Sequence, residues 1–145
     1  MTKYLAYILL FFIPLVTHSQ EWTADYKNAV ALSKETQKPI ILVFAGSDWC
    51  VPCIKLDREI WQSNEFKTHS TEHYVLYKAD FPRKKANRLS KEKEASNARL
   101  AEMFNPKGYF PFVVIVDHEQ QVIGTMGYEK ISPEQYVTRI NSYLK

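Results

Sequence analysis

Cysteine and glycine are scarce in this chain, with two of the first and four of the second in 145 residues. A structural zinc site wants about four ligands; there is no second cysteine pair, and His69, His73 and His118 are scattered. Strong charge of one sign is also missing. The net charge is +3, and the basic run Arg83, Lys84, Lys85, Arg88, Lys91, Lys93 is soon met by Glu92 and Glu94. That run reads as a solvated loop entering a helix, not as a nucleic-acid surface. No internal repeat or low-complexity tract occurs. Apolar and aromatic residues are plentiful: 46% of the chain is hydrophobic, with nine tyrosines, eight phenylalanines and three tryptophans. One domain with a real core is expected, and disorder is excluded.

The N-terminus differs in character. A short basic start, Met1-Thr2-Lys3, precedes the uncharged run Tyr4–Val16, and Thr17 and Ser19 place small residues before Gln20. This is the layout of a secretory signal peptide. The run is shorter than the ~20 residues of a spanning helix and contains Pro14, which weighs against the alternative of an uncleaved anchor. Residues 1–19 are read as the signal peptide and 20–145 as the mature domain. The mature domain is then expected to be exported, most simply to a periplasm, where disulfide chemistry is possible.

Along the mature chain, Trp22–Gln37 has the spacing of an amphipathic helix. Ile40–Ala45 is a continuous apolar, β-branched run, the mark of a strand buried on both faces. A helix from about Cys50 to Trp61 follows, with Cys53, Leu56, Ile60 and Trp61 on one stripe, then a break at Ser63 and a further helical turn carrying Phe66. Tyr74–Ala79 reads as a strand and Ser90–Phe104 as a helix with Leu100, Met103 and Phe104 inward. Phe112–Val116 and Gln121–Met126 read as strands joined by a tight turn. Ser132-Pro133-Glu134-Gln135 is a capping box opening a helix with Tyr136, Val137, Ile140 and Leu144 on one face. The order predicts an α/β fold: a mixed four-stranded sheet flanked by helices, its crossover-linked strands parallel and its last pair an antiparallel hairpin.

The two cysteines lie between a buried strand and a helix start, in Trp49-Cys50-Val51-Pro52-Cys53. A helix N-terminus offers unpaired N–H groups and partial positive charge, and thiol pKa values there fall from ~8.5 to roughly 3.5–7.5. Cys50, at the helix end, is predicted to be the exposed nucleophile, and Cys53, one turn in on the apolar face, the buried resolving thiol. Pro52 is tolerated in the first turn. A structural staple closing so short a loop constrains the unfolded chain little. The redox reading is preferred, with a copper site or an inert pair as the alternatives.

The W-C-V-P-C motif after a buried strand, within this order of elements, resembles the thioredoxin superfamily, and the resemblance runs from Trp22 through the last helix. The stretches Lys38–Cys50 and Asp80–Lys85 are similar to an exported thioredoxin-like branch with an extra N-terminal helix. The resemblance implies a thioredoxin-like fold and a cis proline at Phe110-Pro111 beside the cysteines. It also implies a substrate-docking surface of Trp49, Phe110 and Pro111, with Gly127 lining the same face. Gly46 and Gly108 also fall near this presumed site. Val43 stands where the family usually has a buried acid on the strand before the motif, and Phe110 is bulkier than the usual residue before the proline. The implied function is that of a monomeric, exported thiol–disulfide oxidoreductase acting on protein or peptide disulfides. Its redox-active centre would be the Cys50–Cys53 disulfide, with no metal, nucleotide or flavin and with electrons drawn from a membrane thiol relay. A proline just before the second cysteine favours reduction over oxidation. The alternative is a non-catalytic thioredoxin-like module that binds a partner protein or a metal.

Overall fold

The computed structural model describes residues 20–145; the signal peptide expected over residues 1–19 lies outside the described residues. The strand β1, Ile40–Ala45, has no polar side chain and is buried at every position. It sits inside a four-stranded sheet of order β2-β1-β3-β4, where β2 is Val75–Asp80, β3 Phe112–Val116 and β4 Val122–Met126. Strand alternation divides its side chains between two layers. Ile41, Val43 and Ala45 pack with Cys50, Cys53, Leu56, Ile60, Trp61, Phe66, Tyr136 and Ile140. Ile40, Leu42 and Phe44 pack with Ala29, Tyr77, Leu100, Val114 and Val116.

The first layer is built from α2 (Val51–Leu56), α3 (Asn64–His73) and α5 (Pro133–Ser142); the second from α1 (Tyr26–Thr36) and α4 (Lys91–Phe104). Between α2 and α3 the chain winds as a π turn, Asp57–Trp61. This departs from the uniform helix expected to Trp61. The wider winding of a π turn lets both Ile60 and Trp61 reach the core, each 1% exposed. Ser63 then caps α3 by accepting from the Phe66 N–H at 3.2 Å. The segment is a full ten-residue helix, not the single turn expected. Its apolar pattern is weak because only Phe66 and Ser70 are buried.

Three further expectations are corrected. Trp22–Ala24 is not helical: Trp22 bridges Leu76 in parallel, and Thr23 donates to the Leu76 carbonyl from both its N–H and its hydroxyl. Asp25 starts α1 as its N-cap, so the segment before it lies along the outer strand β2. Next, β1 and β2 are parallel, but β3 runs antiparallel to β1. β2 ends with Asp80 beside Ala45, and β3 begins with Phe112 beside Phe44, at the same end of the sheet. The loop 81–90 and α4 together therefore make a there-and-back excursion, where a helix alone would have carried the chain to the far end. Finally, Met103 is 65% exposed, while Asn97 and Leu100 are the inward residues of α4. Leu144 lies beyond α5 and is also exposed.

The hairpin and last helix follow the sequence closely. Asp117 Oδ1 accepts from the N–H groups of Glu119 and Gln121 to close the β3–β4 turn, and Gln120 takes the left-handed backbone there (φ 68°). The capping box on Ser132 and Gln135 is formed in both directions.

Asn97 ties α4 to the end of β2. Fully buried, it accepts from the Tyr77 hydroxyl at 2.7 Å and donates to the Asp80 carbonyl at 3.0 Å. Each buried polar group left unpaired costs about 1–3 kcal/mol, so Asn97→Ala is expected to lose about 2 kcal/mol or more in urea denaturation. A loss below about 0.5 kcal/mol would show that the bridge is dispensable.

Candidate active site

The site lies where β1 ends, α2 begins and β3 starts. Gly46 turns the chain out of β1, its carbonyl accepting from the N–H groups of Trp49 (3.2 Å) and Cys50 (2.9 Å). Gly46 must be small, since a Cβ there would stand 2.2 Å from the Trp49 ring. Cys50 is the N-cap of α2, in extended backbone conformation (φ −91°, ψ 102°), and its Sγ accepts from the Cys53 N–H at 3.3 Å. The sulfur thus fills the capping role that a serine or aspartate oxygen plays at other helix starts.

Cys50 and Cys53 are joined as a disulfide with a Cα–Cα separation of 5.2 Å. Both are 4% exposed, so in this oxidised state the expected exposure of Cys50 is not found. The bond and the contact with the Cys53 N–H turn its sulfur back over the first turn. Cys53 is buried as expected, with its Sγ facing the Gly46 N–H at 3.5 Å.

The structure brings the remaining candidates to the same place. Trp49 donates from Nε1 to the Phe81 carbonyl at 2.7 Å and meets Phe110 edge-on, ring centroids 5.5 Å apart. The Phe110–Pro111 peptide is cis. Pro111 lines a cavity of about 210 Å³ together with Cys53 and Val43, and shares a shallow groove with Phe110 and Gly127. Gly127 faces the Pro111 carbonyl, 3.9 Å from where a Cβ would stand. Gly108, at φ +67°, makes the bend ahead of Phe110.

Several residues that hold this geometry were not singled out from the sequence. Asp48 Oδ1 accepts from the Arg83 N–H and Oδ2 from the Lys84 N–H, both at 2.9 Å, with Asn87 Nδ2 added at 3.0 Å. The Arg83 guanidinium lies 3.7 Å from the centre of the Trp49 ring, a cation–π contact. Asp80 accepts from the Ser47 N–H and hydroxyl. The basic loop, read from sequence as merely solvated, is therefore fastened to the cysteine motif. Asn105, 3% exposed, closes the loop before Pro111 by exchanging two hydrogen bonds with the Tyr109 backbone. Their partners are set by tertiary folding, and only the Asn105-Pro106-Lys107-Gly108 turn pattern gave a local hint.

The sequence profile of the thioredoxin-like family matches residues 21–118. The chain belongs to that family. This thioredoxin-like chain is 36% identical over 132 residues to the disulfide bond reductase DsbH of Chlamydia pneumoniae, covering 91% of this chain and 77% of the relative. It is 27% identical to the thioredoxin-related protein DsbJ of the same organism, over 73% of this chain and 30% of that longer one. A solved structure of a DsbH oxidoreductase superposes with a TM-score of 0.81 at 34% identity, covering 96% and 94% of the two chains. The thioredoxin-like fold with its extra N-terminal helix and its C-x-x-C pair make this a thiol–disulfide oxidoreductase.

The Asp48 carboxyl sits below the usual carboxylate range, first through the bond from the Arg83 N–H and further through Asn87 and Lys84. A lowered folded-state pKa contributes stability above the unfolded value of ~3.9, lost as pH falls through the folded value. Hydrogen exchange is therefore expected to show the Arg83 and Lys84 amides protected at pH 5. In Asp48→Ala they should exchange on the order of ten-fold faster, with the rest of the sheet unchanged. Equal protection in the variant would remove Asp48 from the loop's support.

Proposed function

We propose that this protein is an exported reductase of protein disulfides, with Cys50 as attacking thiolate and Cys53 as resolving thiol. The observation that carries the reading is the position of Cys50 as the N-cap of α2, its sulfur accepting the Cys53 N–H. When the disulfide is reduced, that N–H and the helix end favour a thiolate at Cys50 over one at Cys53. Cys50 attacks one sulfur of a substrate disulfide and releases the other as a thiolate. Cys53 then displaces the bound sulfur and regenerates the Cys50–Cys53 bond. Trp49, Phe110, Pro111 and Gly127 form the docking face of the proposal, supported by the Trp49–Phe110 contact and the groove that Phe110, Pro111 and Gly127 share.

Reduction over oxidation is supported by Pro52 and by the reductase name of the Chlamydia relative. Export is supported by the apolar run Tyr4–Val16 with small residues before Gln20, and a membrane thiol relay is the proposed electron source.

The test is insulin reduction by the mature protein with dithiothreitol as electron source. Cys50→Ser is expected to abolish turnover, and Cys53→Ser to accumulate a mixed disulfide through Cys50. In the reduced wild type, iodoacetamide should label Cys50 well before Cys53. Equilibration with glutathione should place the potential nearer the about −270 mV of thioredoxin than the about −120 mV of a strongly oxidising relative. A potential near the oxidising end would reverse the direction, and absence of turnover in the wild type would favour a binding module.

A further inference from the structure

Resolution of a mixed disulfide sets a problem that the cysteine motif does not solve by itself. Cys53 must lose a proton before it can attack, and it is 4% exposed, so the groups around its sulfur decide where that proton goes. The Gly46 N–H facing its sulfur is a donor and cannot accept one. On the strand behind it, β1 presents Val43 and Ala45, which are apolar.

The cavity beside Cys53 leads to a carboxylate. Asp57 lines it and follows Cys53 by one helical turn, its N–H donating to the Cys53 carbonyl. Residues four apart on a helix share a face. Opposite, on β2, Lys78 is the register partner of Val43 and lines the same cavity. Its Nζ donates to Asp57 Oδ1 at 2.8 Å, and the side chains of Lys78 and Asp57 are only 29% and 37% exposed. The other carboxylate oxygen receives Gln62 Nε2 at 3.4 Å, and the Trp22 ring flanks Lys78 at 5.0 Å. The remaining charged group in the lining is Arg58, largely exposed and paired with Glu59. The cavity's volume of about 210 Å³ is well above the ~10–15 Å³ that one water needs, so a proton can cross it through water.

We propose that Asp57, held in place by Lys78, accepts the proton of Cys53 during resolution. The Cys53 S–H proton passes to the Asp57 carboxylate, and the sulfur left as thiolate attacks Cys50 Sγ. The Cys50–Cys53 bond forms, the bond from Cys50 to the substrate sulfur breaks, and the substrate leaves as a thiolate. The proton on Asp57 then returns to solvent. This rests on the proposed role of Cys53 as the resolving thiol.

Stopped-flow reduction of a fluorogenic peptide disulfide separates formation of the mixed disulfide from its resolution. Asp57→Asn is expected to leave the first phase unchanged and to slow the second at least ten-fold at pH 7. The deficit should shrink as pH rises and hydroxide from solvent takes over removal of the thiol proton. Asp57→Glu should restore most of the rate, and Lys78→Met should give an intermediate loss. An unchanged second phase in folded Asp57→Asn would overturn the proposal. So would a slowing that is the same at every pH, which is the mark of a structural defect. If the wild type showed no two-phase reaction at all, the failure would lie in the role given to Cys53, not in Asp57.

Discussion

The burial of β1 on both faces is the constraint on which everything else is arranged. Six apolar residues with no polar side chain need a helical layer on each side and a paired strand on each flank. Such a strand can release the chain only at its ends, and at the Ala45 end it does so through the turn at Gly46 into the start of α2. Cys50 thus meets a helix N-terminus because a rigid, dehydrated strand delivers it there. Once the first layer is packed under Ile41, Val43 and Ala45, Cys53 has nowhere to go but inward.

Around that anchored pair, the loops are fixed by carboxylates and amides as well as by the packing of Trp49, Phe81 and Phe110. Asp80 fastens the motif to the end of β2, and Asp48 fastens it to the segment that follows. Asn105 closes the segment before β3 on itself through the Tyr109 backbone. Two segments remote in sequence, braced by the loop after β2, present Trp49, Phe110 and Pro111 together. Local hydrogen bonding of this kind keeps a binding surface rigid while leaving its outer side polar and wet.

What could be read beforehand was whatever depends on neighbours in sequence. Ile40–Ala45 and Phe112–Val116 came out with the bounds the structure shows, because a continuous β-branched run is a strong local signal. The capping box at Ser132 was equally plain. Elements whose character depends on remote partners were misread. Trp22 was placed on a helix, yet it packs against Trp61 and lies beside Leu76. The direction of β3 was missed because nothing in the sequence of loop 81–90 reports how far it travels before α4 begins. At the site, the cysteines were legible from their spacing, while the proline and the aromatics were implied by the family resemblance. The burial of Cys50 was not, since a position at a helix start does not report what packs around the sulfur. The polar partners of Asp48 lie 35 or more positions away, beyond any periodicity argument.

The π turn at Asp57–Trp61 places one helix in the service of two surfaces. An α-helix advances about 100° per residue, so a continuous α-helix that aims Cys53 and Leu56 at the sheet would swing either Ile60 or Trp61 away from it. The slower winding resets the phase midway. The first half is oriented by the cysteines, and the second by an aromatic cluster in which Trp61 touches Trp22, Phe66 and Tyr136. The rotational setting of the redox end is thereby uncoupled from that of the aromatic end, and either can be repacked without turning the other about the helix axis.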